Sequence, residues 1–349
     1  MPTSSRKPGV KKINLALQGG GAHGAFTWGV LDQILACRDL HISAISGTSA
    51  GAMNAVVLAD GIMSGGPQGA RQALRRFWRA VSQTASFNII QRTPTDVLTG
   101  NWSVKHSPGY LFTDLWSRLA SPYLMNPLNA NPLLELLKRQ VDFKRVRSCN
   151  RLKLFISATR VQNGQGKVFD RKQLTAEKVM ASACLPNLFQ AINIDGIDYW
   201  DGGFSGNPVL YPFAYRSDTR GVVIVQINPL RCRKTPTEAR DILNRVNEIT
   251  FNASLRNELR AIEFVSRLLD KGQLDAKRYK KMLIHIIADQ DDLAGFDAST
   301  KMNPEWSFLQ HLFKLGQKAA QRWIDTCLHQ LGKTPTVDIP ALLAGCGNE

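Results

Sequence analysis

Residues 13–17, Ile-Asn-Leu-Ala-Leu, alternate and then stop at Gln18-Gly19-Gly20-Gly21, the pattern of a strand running into a tight loop. From Ala22 to Cys37 the apolar positions Phe26, Val30, Ile34 and Leu35 recur at helical spacing. A second strand, Ile42 to Ile45, ends at Ser46-Gly47-Thr48-Ser49-Ala50-Gly51. A small-residue helix, Ala52 to Ala59, follows and is expected to stop at Asp60-Gly61. This order opens a three-layer α/β domain. A Gly/Pro-rich loop is expected at 64–69 and a helix at 70–82. Residues 86–132 break the pattern with turn-prone Asn and Pro and the exposed-looking aromatics Trp102, Tyr110, Phe112, Trp116 and Tyr123, as in a lid or insertion. Strands resume at Lys153–Thr159 and Lys167–Phe169, followed by a helix near Ala176–Ser182. Ile192–Ile194 and Tyr199–Trp200 flank an Asp195-Gly196 hairpin turn. Val222–Ile227 has the β-branched character of a buried parallel strand. Long helices at 236–270 and 306–331 enclose one more strand, Met282–Ile287.

Composition narrows the class. The chain has 349 residues, 44% hydrophobic and 21% charged, which is a globular balance. No run approaches the ~18 apolar residues of a membrane-spanning helix. The basic segment Met1–Lys12 precedes an apolar stretch too short for a signal-peptide core, so a cytoplasmic protein is expected. Six widely spaced cysteines suggest neither a disulfide framework nor a zinc site. The net charge of +16 calls for an acidic partner. No finger, RNP-like or helix-turn-helix signature points that charge at nucleic acid. The basic residues are scattered; Arg71, Arg75, Arg76 and Arg79 read first as a solvated helix face.

Three short motifs carry chemistry. Gly47-Thr48-Ser49-Ala50-Gly51 fits G-x-S-x-G between a strand and a helix, the context of a nucleophile turn. Ser49 would stand at a helix N-terminus, where peptide dipoles favour an alkoxide; the plainer alternative is a helix cap. Gly19-Gly20-Gly21-Ala22-His23-Gly24 also follows a strand and opens a helix, which makes an anion nest. The spacing satisfies a dinucleotide fingerprint, but Asp39 precedes the second strand instead of ending it. An oxyanion hole serving Ser49 is the better reading.

The third motif, Tyr199-Trp200-Asp201-Gly202-Gly203, places a carboxylate at the end of a hairpin strand. A reactive serine needs a base, ordinarily a histidine. His285 lies inside Leu-Ile-His-Ile-Ile, His311 and His329 inside a helical stretch, and His41 and His106 have no motif around them. A direct Ser49–Asp201 dyad remains. Asp-Gly-Gly alone is an ordinary turn; its weight comes from the company of the other two motifs.

Together, in this order, the motifs resemble the patatin-like phospholipase family. The likeness extends over roughly 13–230 and includes Ala181-Ser182-Ala183-Cys184-Leu185-Pro186 and Asn207-Pro208. It implies a three-layer α/β/α fold with a mainly parallel sheet and hydrolysis of lipid acyl esters. It implies Ser49 as nucleophile, Asp201 as base and Gly19, Gly20 and Gly21 as oxyanion loop. Ala22, His23, Gly24, Gly47, Gly51, Gly202 and Gly203 support those motifs. No metal or organic cofactor is called for. His23 stands where many members carry Arg, which leaves any role of that cation in question. The expected organisation is a tail over 1–12, a catalytic core over 13–230 and a mostly helical extension over 231–349 packing on the core. The expected partners are a lipid ester and an anionic membrane surface, bound peripherally, with any protein activator unknown. An esterase or polyester depolymerase, and a silent binding module of the same fold, are the competing readings.

Overall fold

The computed structural model describes residues 9–85, 91–112, 120–230, 232, 235–289, 292–293 and 295–344. Its strands are β1 (Lys11–Leu17), β2 (Leu40–Gly47), β3 (Lys153–Arg160), β4 (Gly166–Asp170), β5 (Ile192–Ile194), β6 (Ile197–Asp201), β7 (Gly221–Val225) and β8 (Leu283–Ile287). They form one sheet in the order β5-β6-β3-β2-β1-β7-β8, with β4 also paired to β3. The five strands β3-β2-β1-β7-β8 are parallel, and β4 and β6 run antiparallel to β3.

Strand alternation feeds two cores. Ile13, Leu15, Leu17, Ile45, Ile156, Val223 and Val225 face one, beneath helices α1 (Gly24–Ala36) and α2 (Ala50–Ala85). Ala16, Ala44, Phe155, Val222 and Ile224 face the other, beneath helix α3 (Ala239–Asp270), which contributes Leu255, Leu259 and Ile262. A sheet buried on both faces needs apolar residues at successive positions, which is why β7 reads Gly-Val-Val-Ile-Val. The architecture is a three-layer α/β/α sandwich with a largely parallel sheet.

The C-terminal third enters both layers and the sheet. β8 extends the sheet beside β7, and helix α4 (Trp306–Cys327) crosses α1 in near backbone contact. A Cβ on Gly29 would lie 2.0 Å from the Phe313 carbonyl oxygen, and one on Gly316 would lie 2.0 Å from that of Phe26. The two glycines face each other across one crossing, so neither helix can carry a side chain there.

Two local expectations are corrected. Helix α2 does not stop at Asp60-Gly61. Asp60 is buried and held by the Arg145 guanidinium at 2.6 Å, while Gly61 lies against the Ala70 backbone. The break comes at Gly65 and Gly66 (φ 63°), and helix resumes with Pro67. Trp102 is not an exposed aromatic: it packs on Phe308 and His311, with the Arg92 guanidinium 4.4 Å from its ring. Phe112 and Tyr123 are exposed, and Trp116 lies outside the described residues.

Gly316→Ala is expected to destabilise the fold by about 1–3 kcal/mol in chemical denaturation, because a helix must move to admit the methyl group. Gly65→Ala, where nothing lies within 4 Å of the new Cβ, is the matched control expected to change stability little. Equal midpoints for the two variants would contradict the close crossing.

Candidate active site

Strand register brings the motifs to one level. Leu17 pairs with Gly47, and Gly47 pairs with Ile156. Asp201 pairs with Ala158, two residues further along β3. Gly19 and Ser49 likewise lie two residues beyond Leu17 and Gly47, so the glycine loop, the serine and the aspartate meet at the carboxyl edge of the parallel strands. That edge is where open α/β sheets place their ligand sites.

Ser49 has a φ of 54°, a left-handed conformation costing a non-glycine residue ~1–3 kcal/mol. Its surroundings hold it there. Its N–H donates to the Ser182 hydroxyl at 2.9 Å. The preceding Thr48 hydroxyl bonds Ser157 Oγ at 2.6 Å and donates to the Gly206 carbonyl at 2.7 Å. A Cβ on Gly19 would lie 2.5 Å from Ser49 Cβ, so the loop touches the serine directly.

Asp201 is 1% exposed. Its Oδ1 accepts the Gly203 N–H at 2.7 Å, whereas Oδ2 has no hydrogen-bond partner among the described residues. Burial pushes its pKa up to about 7, against the smaller opposing pull of the Gly203 N–H and the nearby Ser49 hydroxyl. Ser49 is therefore near enough to favour the carboxylate without a formed hydrogen bond to Oδ2, as is common in unliganded sites. A strap at 182–184 ties the two residues together. The Ser182 carbonyl accepts the Gly202 N–H at 3.1 Å and the Cys184 carbonyl accepts that of Asp201 at 2.8 Å. A Cβ on Gly203 would lie 2.0 Å from the Phe251 ring, so a larger residue there would displace that ring.

The glycine loop divides its backbone groups. The Gly19 N–H, one of the three expected oxyanion donors, is donated to Asn207 Oδ1 at 2.6 Å. Among the described residues the Gly20 and Gly21 N–H groups have no hydrogen-bond acceptor. The Gly19 carbonyl is held by Asn228 Nδ2 at 2.6 Å and Asn207 Nδ2 at 3.4 Å. Gln18 Oε1 accepts the N–H groups of Ile227 and Asn228, both at 2.9 Å, which fixes β1's exit against β7's.

His23 and His285 are engaged in other contacts. His23 is buried between the Phe296 and Phe308 rings, with Nε2 on the Thr300 hydroxyl at 2.7 Å. Burial and then Lys301 drive its pKa down to about 3, so its ring is neutral. His285 is pushed down to about 4 by burial and bonds Thr336. Ala22 and Gly24 carry the chain from the loop into α1, and a Cβ on Gly24 would lie 2.7 Å from that of Ala50. Gly47 and Gly51 allow the strand–helix turn to close, with the Gly51 carbonyl 2.6 Å from where a Gly47 Cβ would sit.

Sequence reasoning assigned no role to Ser182, Asn207, Asn228 or Lys301. Ser182 and Asn207 fall within the stretches that carry the family likeness; the other two have no local signature. Among the described residues no His, Cys, Asp and Glu cluster has the arrangement to hold a metal ion. No described helix is long and apolar enough to cross a membrane.

The family model described as patatin-like phospholipase matches residues 15–214. Among solved structures, VipD from Legionella pneumophila is 16% identical with a TM-score of 0.42, covering 93% of this chain and 72% of its own. ExoU of Pseudomonas aeruginosa, in its heterodimeric complex with SpcU, is 15% identical with a TM-score of 0.35. That alignment covers 93% of this chain and 52% of ExoU, so the chain spans about half its length. No curated protein matches the chain in sequence.

If Asp201 accepts a proton, the reactive form is its carboxylate, and activity is lost as pH falls through the raised pKa of about 7. On a soluble short-chain ester, kcat/KM should rise roughly tenfold per pH unit below that value and level off above it. Glu258, also raised to about 7 by burial, caps the 211–216 helix at the Leu210 and Tyr211 N–H groups, so Glu258→Gln should leave the limb in place. A limb centred near 4 would contradict tuning by burial.

Proposed function

The chain belongs to the patatin-like phospholipase family, and on that premise we propose that it cleaves acyl esters of membrane phospholipids through Ser49 and Asp201 without a histidine. The observation that carries this reading is the buried, unpartnered Asp201 Oδ2 beside a serine held in a strained turn. As Ser49 Oγ attacks the ester carbonyl, Asp201 takes the hydroxyl proton. A free aspartate at ~3.9 is too weak a base for this; one near 7 gives and takes a proton with little cost either way. The carbonyl oxygen, now an anion, is received by the Gly20 and Gly21 N–H groups, assisted by the N-terminal dipole of α2. Collapse of the tetrahedral intermediate expels the alcohol, to which Asp201 returns the proton. Water then attacks the acyl-Ser49 ester by the same route in reverse, releasing the fatty acid.

A lipid aggregate suits the surface around the site. The segment 122–128 exposes Leu124 (76%) and Leu128 (91%), together with Tyr123 and Met125. It is fastened next to the strap that holds Ser49: Gln190 donates to the Asn126 carbonyl at 2.7 Å, and the Ala191 N–H donates to the Tyr123 hydroxyl at 3.3 Å. Residues 101–104 are fastened on the other side, where the Val104 N–H and Ser103 meet Ser299, and Asn303 meets the Trp102 carbonyl. Apolar groups beside the site combined with a charge of +16 favour peripheral binding to an anionic bilayer.

The test is fatty-acid release from phosphatidylglycerol vesicles at increasing NaCl. The wild type should release fatty acid and slow as salt rises, with Ser49→Ala at background and Asp201→Asn lower by on the order of 10³-fold. Turnover retained by Ser49→Ala would exclude the dyad, and salt-independent turnover would exclude the electrostatic part of membrane binding.

A further inference from the structure

Lys301 lies in the short 3-10 turn Ala298–Met302 of the C-terminal region, and its half-buried side chain reaches Asn228 behind the glycine loop. Among the described residues it forms no ion pair within 4 Å; the carboxylate that acts on it through space is Glu248. Its hydrogen bond runs from Nζ to Asn228 Oδ1 at 2.9 Å. Burial lowers its pKa and the more distant Glu248 carboxylate opposes this, so an ammonium form at this point is costly and calls for a compensating use.

The bonds beyond Asn228 supply that use. The other half of the same amide, Nδ2, donates to the Gly19 carbonyl at 2.6 Å. That carbonyl shares its peptide plane with the Gly20 N–H, which has no acceptor among the described residues and which the mechanism above assigns to the oxyanion. We propose that Lys301 is a positioning residue which, through Asn228, polarises the Gly19–Gly20 peptide and makes the Gly20 N–H a stronger donor to the oxyanion. A cation pulling on Asn228 Oδ1 makes Nδ2 a better donor, and a carbonyl so bound leaves its peptide N–H more positive; polarisation passes along a hydrogen-bonded chain in this way. The backbone of the same residue also sets the loop's shape. A Cβ on Gly21 (φ 59°) would lie 2.4 Å from the Lys301 carbonyl oxygen, so the turn is seated directly against the second donor.

His23, the side chain of the loop itself, cannot supply this field, because burial holds it neutral. On this proposal the polarising charge comes from a segment some 280 residues away in sequence. The effect grows with charge on the substrate oxygen. It is felt in the transition state and hardly at all in ground-state binding, which makes it a matter of kcat and not of KM.

This inference rests on the serine–aspartate reading, and the experiment separates the two. Steady-state hydrolysis of a soluble ester is measured for wild type, Lys301→Met, Lys301→Gln, Asn228→Ala and the Lys301→Met/Asn228→Ala double variant, with thermal unfolding of each. Lys301→Met keeps the length of the stem without the charge and should lower kcat on the order of tenfold to a hundredfold, with KM within about twofold. Asn228→Ala should do the same, and the double variant should be no slower than the slower single, since both break one relay. Should Lys301→Met fail to fold, Lys301→Gln reads the same kcat. Wild-type activity with an unchanged kcat in the folded Lys301 variants would overturn the relay and leave the dyad standing. So would losses that multiply in the double variant. An inactive wild type would remove the catalytic reading and this inference with it.

Discussion

The structure turns on one carboxylate kept out of water with no counter-charge beside it among the described residues. Among the described residues, the Asp201 side chain accepts one hydrogen bond, from Gly203, and its second oxygen is left unsatisfied. Such a group is expensive to bury as an anion, and the expense appears as a pKa near neutrality. Much around it follows from holding that group in place. β6 ends at Asp201, Thr159 Oγ1 donates to its carbonyl at 2.8 Å, and the strap at 182–184 binds its N–H. The same strap binds the Ser49 N–H, so one short segment sets the spacing between Ser49 and Asp201.

The C-terminal third is part of this arrangement and not an ornament on it. The paired glycines at 29 and 316 bring α4 against α1, the helix that the glycine loop opens. The 3-10 turn before α4 then reaches the loop from behind, with Thr300 on His23 and Lys301 on Asn228. The glycine loop is thus bounded on one side by the sheet and on the other by a segment from near the far end of the chain.

Legibility in the sequence followed the range of the interactions involved. The alternation of β1 and β7, the Asp195-Gly196 turn with both residues at positive φ, and the strand–turn–helix around Ser49 are written in contiguous residues. They could be read without the fold. The Gly61 position could not: it reads as a helix stop, yet its missing Cβ serves contact with Ala70 across the later kink. Trp102 reads as exposed because its partners, Phe308 and His311, are two hundred residues away. The same is true at the site. Gly19 looks like any other member of the nest until Asn207 Oδ1 occupies its N–H. Asn228 and Lys301 carry no local signature, since what matters about them is whose carbonyl they meet.

The most direct measurement of the central claim is fluorophosphonate labelling read by intact mass. A phosphonate reacts only with a serine whose proton has somewhere to go, and its adduct mimics the tetrahedral intermediate. The account predicts one adduct on the wild type, none on Ser49→Ala, and labelling of Asp201→Asn slowed by orders of magnitude while the protein stays folded. An adduct that survives Ser49→Ala, or wild-type labelling rates in Asp201→Asn, would contradict it.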